Sequence, residues 1–359
     1  MSLAAELERA LHYPLGDQLP APGCAVELRP GVKWLRMGLP FALDHINLWL
    51  LRDRFQGREG WTVVDCCIDR PESRALWQQV FEQELEGLPV LRVLVTHMHP
   101  DHIGLAHWLC ERWSTPEHDC RLWISGADYQ AARYGCEVVN SFGGERLADY
   151  FRSHGMTDPG DLEQVRHRKS YYRGLVPAVP PQYARLRDGQ PLVIGGHAWR
   201  CIAGWGHAPE HMALHCEALG ILISGDMVLP RISTNVSVYE MEPEADALTL
   251  FLDSIDRFMP LPEDTLVLPS HGKPFQGLHT RIQQLHDHHR ERLVEVMQAA
   301  RERPVSAYDV LPVLFRRPLD LHQTTFALGE SVAHLHRLWH GGQLARTRDA
   351  EGIWRFAPV

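Results

Sequence analysis

The stretch VLRVLVTHMHPDHIGLAHWL, residues 90–109, decides how the rest of the sequence is interpreted. Its first six positions are apolar except for one arginine, which predicts a buried strand, and a helical pattern begins after His102. Residues two apart in an extended chain point the same way, so His97 and His99 project together. Pro100 then ends the extended run and lets Asp101 and His102 fold back beside them. Three imidazoles and a carboxylate within six positions predict a site for a borderline or hard divalent ion.

Length and composition describe an ordinary globular protein. The 359 residues, 45% of them apolar, are enough for two domains. The net charge of −9 is spread along the chain, which gives no support to a general nucleic-acid binder. Neither a signal-like start nor a long apolar window is present, so we expect a cytoplasmic protein without a membrane partner. The eight cysteines include no CxxC pair and are predicted to be reduced and buried.

Three segments before residue 90 predict successive antiparallel strands, because each is apolar or alternating and is bounded by turn residues. They are VELRPGVKWLRMGLP, FALDHINLWLLRD and GWTVVDCCID. Asp65 closes the third segment. It is either a turn residue or a carboxylate that orients a ligand histidine, and the sequence leaves both readings open.

Residues from about 133 to 185 depart from this pattern and predict an insertion over the site. The segment contains a mixed basic and aromatic cluster, which is Arg166, His167, Arg168, Lys169, Tyr171, Tyr172 and Arg173. Such a cluster could hold an anionic or aromatic substrate group. A solvated helix face is the favoured interpretation, because basic clusters on exposed helices are common.

Three later apolar runs each end in a turn that carries one more potential ligand. The runs are PLVIGGHAWRCIAGWGHAPEH, MALHCEALGILISGDMVL and DTLVLPSHGKPF, and their turns deliver His207, Asp226 and His271. One histidine after a strand is unremarkable. Three strand ends that deliver histidine, aspartate and histidine can complete two metal sites begun by the first cluster.

Together these motifs resemble the metallo-β-lactamase superfamily over about residues 25–280. The matching pieces are THMHPDH at 96–102, GWGHAPEH at 204–211, SGD at 224–226 and PSHG at 269–272, with VVDCCID as the earlier strand. The resemblance implies an α+β fold, a four-layer αβ/βα sandwich with metals at one edge. It implies that His97, His99 and His207 bind a first metal, that Asp101, His102 and His271 bind a second, and that Asp226 bridges them.

Within that superfamily the residue choices are most similar to those of glyoxalase II and its relatives. Flavodiiron relatives place glutamate where this chain has His99, which argues against redox chemistry. His102 and Asp226 argue against antibiotic hydrolysis, because zinc β-lactamases commonly place other residues there, including a cysteine. Persulfide dioxygenases share many of these residues and use a single iron. The cofactor prediction is therefore two divalent ions, zinc first, with iron or manganese as the alternatives.

The C-terminal part, residues 280–359, reads as three helices and a short β wing. It resembles the winged-helix module that follows the catalytic domain in enzymes of the β-lactamase-like protein 2 type, some of which are endoribonucleases. The predicted domains are thus 1–279, catalytic, and 280–359, winged-helix-like. The module has 11 Arg and no Lys against 9 acidic residues, which is too balanced to require a nucleic-acid surface. Packing on the catalytic domain is favoured, and His286, His288 and His289 are predicted to be solvated.

The function predicted from these residues is hydrolysis of a thioester or ester of a small acyl substrate by a metal-bridging hydroxide. Metal binding lowers the pKa of water from 15.7 to about 7. Asp101 and Asp226 would position the hydroxide, and His211 would either donate a proton or hold a neighbouring group. A thiol, with a pKa of about 8.5, leaves without a strong acid, which favours an anionic thioester as the small-molecule partner.

Three alternatives stay open. The first is a phosphodiesterase or endoribonuclease that guides single-stranded RNA along residues 166–173, a partner that is not favoured. The second is a mononuclear-iron sulfur dioxygenase. The third, a binding domain without catalysis, is least favoured, because an unused site has no need of seven matched ligands. The acyl group, the native metal and the oligomeric state are not fixed by the sequence.

Overall fold

The computed structural model describes residues 7–138, 142–169 and 171–359, and these contain two large β-sheets, a β-hairpin and helices. The strands are β1 Ala25–Arg29, β2 Val32–Gly38, β3 His45–Phe55, β4 Arg58–Val64, β5 Val90–Leu94, β6 Arg121–Ser125, β7 Tyr183–Leu186, β8 Pro191–Ile194, β9 His197–Gly204, β10 His211–Cys216, β11 Ile221–Gly225, β12 Leu266–Pro269, β13 Leu344–Arg348 and β14 Trp354–Pro358. The helices are α1 Pro71–Gln83, α2 Pro100–Ile103, α3 Ala106–Trp113, α4 Gly126–Glu137, α5 Gly144–Ser153, α6 Pro159–His167, α7 Tyr171–Leu175, α8 Ala247–Asp256, α9 Leu278–Glu302, α10 Ala307–Leu314 and α11 Leu321–His340.

The first sheet has seven strands in chain order, β1 to β7. Strands β1 to β4 are antiparallel, as predicted, and β4 to β7 are parallel. All five residues of β5 are buried, as expected for a strand covered on both faces. Because parallel strands end at the same edge, the loops after β4, β5 and β6 meet there, and two of them carry Asp65 and the 97–102 cluster.

The second sheet has five strands in the order β12-β11-β10-β9-β8. Strands β11 and β12 are parallel, so Asp226 and His271, which follow them, lie at one edge. Strands β9 and β10 are antiparallel, and His207 lies in the loop between them. The three ligands that the sequence predicted from separate strand ends therefore come from neighbouring strands.

Three clusters of buried apolar side chains define the layers. One lies between the two sheets, where Trp34 and Trp49 of the first sheet meet Trp199 of the second. A second lies under α1, α3 and α4 on the outer face of the first sheet. The third joins the outer face of the second sheet to α5, α6 and α8 to α11. This two-sheet architecture with helices on the outside agrees with the predicted fold class.

The C-terminal segment contains the predicted three helices, α9 to α11, followed by the β13–β14 hairpin. Its apolar side chains belong to the same buried cluster as the second sheet, so it packs on that sheet directly. Assignment to the winged-helix class and the predicted domain boundary stay predictions, and residue 280 lies inside α9. None of the described helices is long and apolar enough to cross a membrane.

Two smaller predictions can be compared with the structure. All eight cysteines are free, and seven of them are buried, as predicted. The segment RPESRALWQQVFEQELEG predicts an amphipathic helix with Leu76, Val80, Phe81 and Leu85 on one face. Helix α1 forms there, but Trp77 shares its buried face while Leu76 is only partly buried. The ring of Trp77 stacks on that of Phe81, with 5.8 Å between the ring centroids.

Candidate metal centre

The loops at the shared edge of the two sheets bring all seven predicted ligands into two adjoining groups. The first group is His97, His99, His207 and Asp226, and the second is Asp101, His102 and His271. Within each group the potential ligand atoms lie within 4.8 Å of one another. This is the arrangement that the sequence predicted, although their roles as ligands stay a prediction.

Backbone carbonyl groups fix the orientation of two of the histidines. His207 Nδ1 donates to the carbonyl oxygen of Asn235 at 2.7 Å, and His271 Nδ1 donates to that of His45 at 2.7 Å. An imidazole whose Nδ1 carries the hydrogen presents the lone pair of Nε2, which is the atom that can bind a metal. Both Nε2 atoms face Asp226, at 3.4 Å from its carboxylate oxygens.

Asp65 supports the first ligand loop from behind, which is the second of the two roles considered from the sequence. Its carboxylate accepts from His102 Nδ1 at 2.8 Å and from the backbone nitrogen of Thr96 at 2.8 Å. The hydroxyl of Thr96 also donates to Asp65 at 2.9 Å and lies 3.0 Å from His97 Nδ1. Asp65 has a φ of +60°, a strained value for a residue with a side chain, and strain of this kind clusters at functional sites.

Two buried side chains that the sequence did not single out hold the loops together. Asp128 accepts from the backbone nitrogens of Met98 at 2.7 Å and Glu210 at 2.6 Å, so it links two ligand loops. Asn47 donates to the carbonyl oxygens of Pro269 and Gly272, on either side of His271, at 2.7 and 2.9 Å. The only signal for Asp128 in the sequence was its place in SGAD, residues 125–128, where a strand ends and a helix begins.

The charges of the site suit cations. Burial opposes protonation of His102, but Asp101, Asp65 and Asp226 outweigh it and raise the pKa of this imidazole well above its usual value. The pKa of His271 is raised to about 10, because Asp226 and Asp101 outweigh burial in the same way. Burial alone would raise the pKa of Asp226, but His271 and His102 lower it well below the ordinary value.

Three buried atoms of the site have no hydrogen-bond partner among the described residues, namely His102 Nε2, His271 Nε2 and Asp226 Oδ1. They approach one another at 3.4 to 3.6 Å. Leaving three buried polar atoms unpaired costs free energy, and a bound cation would satisfy all of them. With imidazole and carboxylate donors, the residues fit borderline or hard divalent metal ions.

The turn that carries Asp226 requires a glycine before it. Gly225 has a φ of +55°, and a Cβ atom there would lie 2.1 Å from His211 Nε2. His211 is fully buried, and its Nε2 lies 3.3 Å from the backbone nitrogen of Asp226. Burial, reinforced by His207, lowers the pKa of His211 far below the usual value. This geometry favours the role of holding the Asp226 turn, and proton donation by His211 stays a prediction.

Comparison with known families identifies the chain as a member of the metallo-β-lactamase superfamily, whose model matches residues 42–296. A second model, the metallo-β-lactamase-like C-terminal domain, matches residues 293–359. Among curated proteins, the chain is 24% identical over 312 residues to the probable metallo-hydrolase YqjP of Bacillus subtilis (strain 168), covering 84% of this chain and 90% of that protein. Membership of this superfamily is consistent with a metal-dependent hydrolase.

Solved structures agree with this assignment. A β-lactamase domain protein from Burkholderia ambifaria is 54% identical, with a TM-score of 0.92 over 99% of this chain and 100% of that one. A metallo-β-lactamase family protein from Thermus thermophilus is 26% identical, with a TM-score of 0.74 over 93% of this chain and 100% of that one. Both matches extend beyond the two-sheet part, so the C-terminal segment is included in the likeness.

Proposed function

We propose that this chain is a binuclear metal-dependent hydrolase that acts on thioesters or esters of small acyl groups. The observation that carries the proposal is the placement of Asp226 between the two ligand groups. Its Oδ2 lies 3.4 Å from His207 Nε2, and its Oδ1 lies 3.4 Å from His271 Nε2 and 3.6 Å from His102 Nε2. One carboxylate oxygen thus faces each group, as a bridging ligand requires.

The seven residues divide between the two ions in the proposal. His97, His99 and His207 would hold one ion, Asp101, His102 and His271 would hold the other, and Asp226 would bind both. When bound, the two ions acidify a water molecule and polarise the carbonyl oxygen of the substrate. Zinc is the first choice for this donor set, with iron or manganese as alternatives.

The carboxylates of the chain have a separate part in this reaction. Burial would raise the pKa of Asp101, but His102 and His271 lower it to about 2, so it is ionised at neutral pH. An ionised carboxylate can only accept hydrogen bonds. Asp101, together with Asp226, is therefore suited to accept from the attacking water and orient it toward the substrate.

The leaving group is inferred from what the site lacks. Among the described residues that support the ligand groups, His211 is buried behind the Asp226 turn, Asp65 is bonded to His102 and Thr96, and Asp128 is bonded to Met98 and Glu210. In the proposal none of these three protonates a departing group. A thiolate leaves without protonation because its conjugate thiol has a pKa of about 8.5, so the arrangement favours a thioester over an amide.

The test is a side-by-side assay of the purified, metal-loaded protein. Its substrates are a panel of acyl thioesters, a labelled single-stranded RNA and a glutathione persulfide, the last followed by oxygen uptake. We expect turnover of thioesters and close to two metal ions per chain by elemental analysis. RNA cleavage without thioester turnover would overturn the proposal, as would oxygen uptake with one tightly bound iron.

A further inference from the structure

Within the basic and aromatic cluster, Arg166 and His167 are paired with carboxylates, whereas Arg168 is not paired in the described part of the chain. Arg166 lies 3.2 Å from a carboxylate oxygen of Glu145 and 3.3 Å from one of Glu163. His167 also lies 3.2 Å from Glu163. These side chains form a solvated, ion-paired helix face, which was the interpretation favoured from the sequence. The charge of Arg166 is thus paired, and Lys169 and Arg173 are exposed to solvent.

Arg168 has a different environment. Its side chain is half-buried, donates to Thr325 Oγ1 at 3.4 Å and lies over the ring of Tyr171 at 5.8 Å. Among the described residues it makes no ion pair with a carboxylate. Burial lowers its pKa, which means that part of its hydration has been removed. A guanidinium has five donor hydrogens, and a half-buried one without a counter-ion is stabilised by any anion that reaches it.

Arg168 lines a cleft between the inserted helices and the C-terminal helix α11. Its walls are mostly apolar or aromatic, and they include Phe142, Phe151, Tyr171, Tyr239 and Phe326. One other ionisable side chain, Glu240, lines the same cleft and makes no ion pair with Arg168 in the described structure. Burial raises the pKa of Glu240, so this carboxyl group ionises less readily and competes less with a substrate anion for Arg168. We call this space the α11 cleft, and a more polar depression, whose lining includes Asn235, Arg317 and Glu330, adjoins it at Phe326.

The α11 cleft lies beside two elements that contact the candidate metal centre. At one side Tyr171 belongs to α7, which packs against α2, the helix that carries Asp101 and His102. At the other side Asn235 lines the adjoining depression, and its carbonyl oxygen accepts from the metal-ligand candidate His207. In the inference, a substrate whose carbonyl carbon lies at the metal centre would extend along the aromatic wall toward Arg168.

We infer that the α11 cleft binds the acyl half of the substrate, and that this half combines an apolar chain or ring with a negatively charged end. The aromatic walls would hold the hydrocarbon part, and Arg168 would bind the terminal carboxylate through paired hydrogen bonds. The inference rests on the proposed function and adds the substrate class to it. An uncharged acyl group would leave Arg168 without a counter-ion, and an extended polyanion would meet the aromatic walls and Glu240.

The experiment compares two thioesters of equal length on the metal-loaded protein. One is the N-acetylcysteamine monothioester of adipic acid, and the other is its terminal primary amide. We expect kcat/KM to favour the carboxylate by about 10- to 100-fold, the range for a hydrogen bond to a charged group. Arg168→Met should abolish this preference by lowering kcat/KM for the carboxylate thioester to the value for the amide. Arg166→Met removes an ion-paired arginine two residues away and should keep the full preference.

Equal turnover of the two thioesters by the wild-type protein would overturn the inference, and so would an unchanged preference in Arg168→Met. If no thioester is hydrolysed, the proposed function fails, and binding then decides the inference. Hexanoate and hexanamide would be titrated calorimetrically onto the metal-loaded wild-type protein and onto Arg168→Met. Binding of hexanoate that is lost in Arg168→Met supports the inference. Equal binding of hexanoate to both proteins would mean that the carboxylate binds the metals instead, and this would overturn the inference. Circular dichroism and metal content show whether each variant is folded and loaded.

Discussion

The molecule contains two buried clusters of histidines that differ in one respect, the presence of carboxylates. At the metal centre, Asp65, Asp101 and Asp226 lie among the imidazoles and raise the pKa of two of them. The second set, the α11 histidines, lies where the C-terminal helices pack on the rest of the chain. It consists of two buried pairs, His289 with His334 and His154 with His336. None of these four makes an ion pair with a carboxylate among the described residues.

Two of the α11 histidines are instead bonded to backbone carbonyl groups. His334 Nδ1 donates to the carbonyl oxygen of Glu330 at 2.9 Å, and His336 Nδ1 donates to that of Ala245 at 3.0 Å. His289 Nδ1 lies 3.3 Å from His334 Nε2. Burial lowers the pKa of all four. The comparison shows that grouped, buried histidines do not by themselves mark a metal site, because the anions among them supply the attraction for a cation.

The largest effect should come from removing the carboxylate that both ligand groups share. Asp226→Ala should reduce hydrolysis by about 10³-fold or more and remove one or both metal ions, because several kcal/mol of charge stabilisation is lost. Elemental analysis and kcat/KM would measure this. Asp264→Ala, a change of an exposed aspartate, is the matched control and should retain both metals. Full metal content in Asp226→Ala would contradict the idea that carboxylates among the histidines distinguish the metal centre from the α11 histidines.

The next effect is acid destabilisation through the α11 histidines. Their pKa values in the folded protein, about 3 for His154 and about 4 for His334 and His336, lie below the unfolded value near 6.5. The unfolded chain therefore binds more protons as the pH falls below 6.5, so stability is complete above that pH and declines down to about 4. Each histidine contributes up to about 1.4 kcal/mol per pH unit in this window.

Urea unfolding of the metal-free protein at pH 7.5, 6 and 5 would measure this slope. Replacing one histidine of the cluster, as in His334→Leu, should make the decline shallower and leave the metal content of the loaded protein unchanged. An identical decline in the variant would show that the acid sensitivity resides elsewhere.

A smaller effect is expected from the residue that orients a ligand without binding a metal. Asp65→Asn keeps the size of the side chain but weakens the acceptor for His102 Nδ1, so metal affinity should fall by about 10- to 100-fold. Competition with a chelator would give the two affinities. Asp264→Asn should leave the affinity unchanged. Equal metal affinities of Asp65→Asn and Asp264→Asn would mean that Asp65 serves only as a turn residue.

The smallest effect should come from a residue that connects the C-terminal helices to the metal centre. Glu330 of α11 accepts from Asn235 Nδ2 at 3.0 Å, and the carbonyl oxygen of Asn235 orients His207. Glu330→Ala should lower metal affinity by less than about 10-fold, because the backbone contact to His207 survives. Glu330→Gln keeps an oxygen acceptor and should restore most of the affinity. A loss as large as that of Asp65→Asn in both variants would contradict this ranking.

The sequence predicted the metal centre better than its supports, and the reason is distance along the chain. His97, His99, Asp101 and His102 are neighbours in the sequence, so their side chains are grouped before any folding is considered. Asp128 was not predicted because its bond to Glu210 joins residues 82 apart, and Asn47 bonds to a carbonyl group 222 residues away. Contacts of this kind depend on which sheets face each other, which local patterns do not contain.

The C-terminal helices show the same limitation. Their number and order could be predicted from the pattern of apolar residues, yet His289 was expected to be solvated and is fully buried. That prediction was wrong because the start of α9 is polar in sequence but is covered by α11, whose His334 contacts it. His286, in contrast, is partly exposed and pairs with Asp256 at 2.6 Å. Whether a helix face is covered depends on helices that follow much later in the chain.

The ligand loops of this protein come from both sheets, with the 97–102 cluster from the first and Asp226 and His271 from the second. Cations held by these ligands would therefore join two halves of the chain that are also connected by apolar contacts and by hydrogen bonds such as those of Asn47 and Asp128. Chelation should then accelerate amide hydrogen exchange at the ends of β5 and β12 together rather than at either strand alone. In such a molecule the metal occupancy of the site and the stability of the contact between the two sheets would rise and fall together.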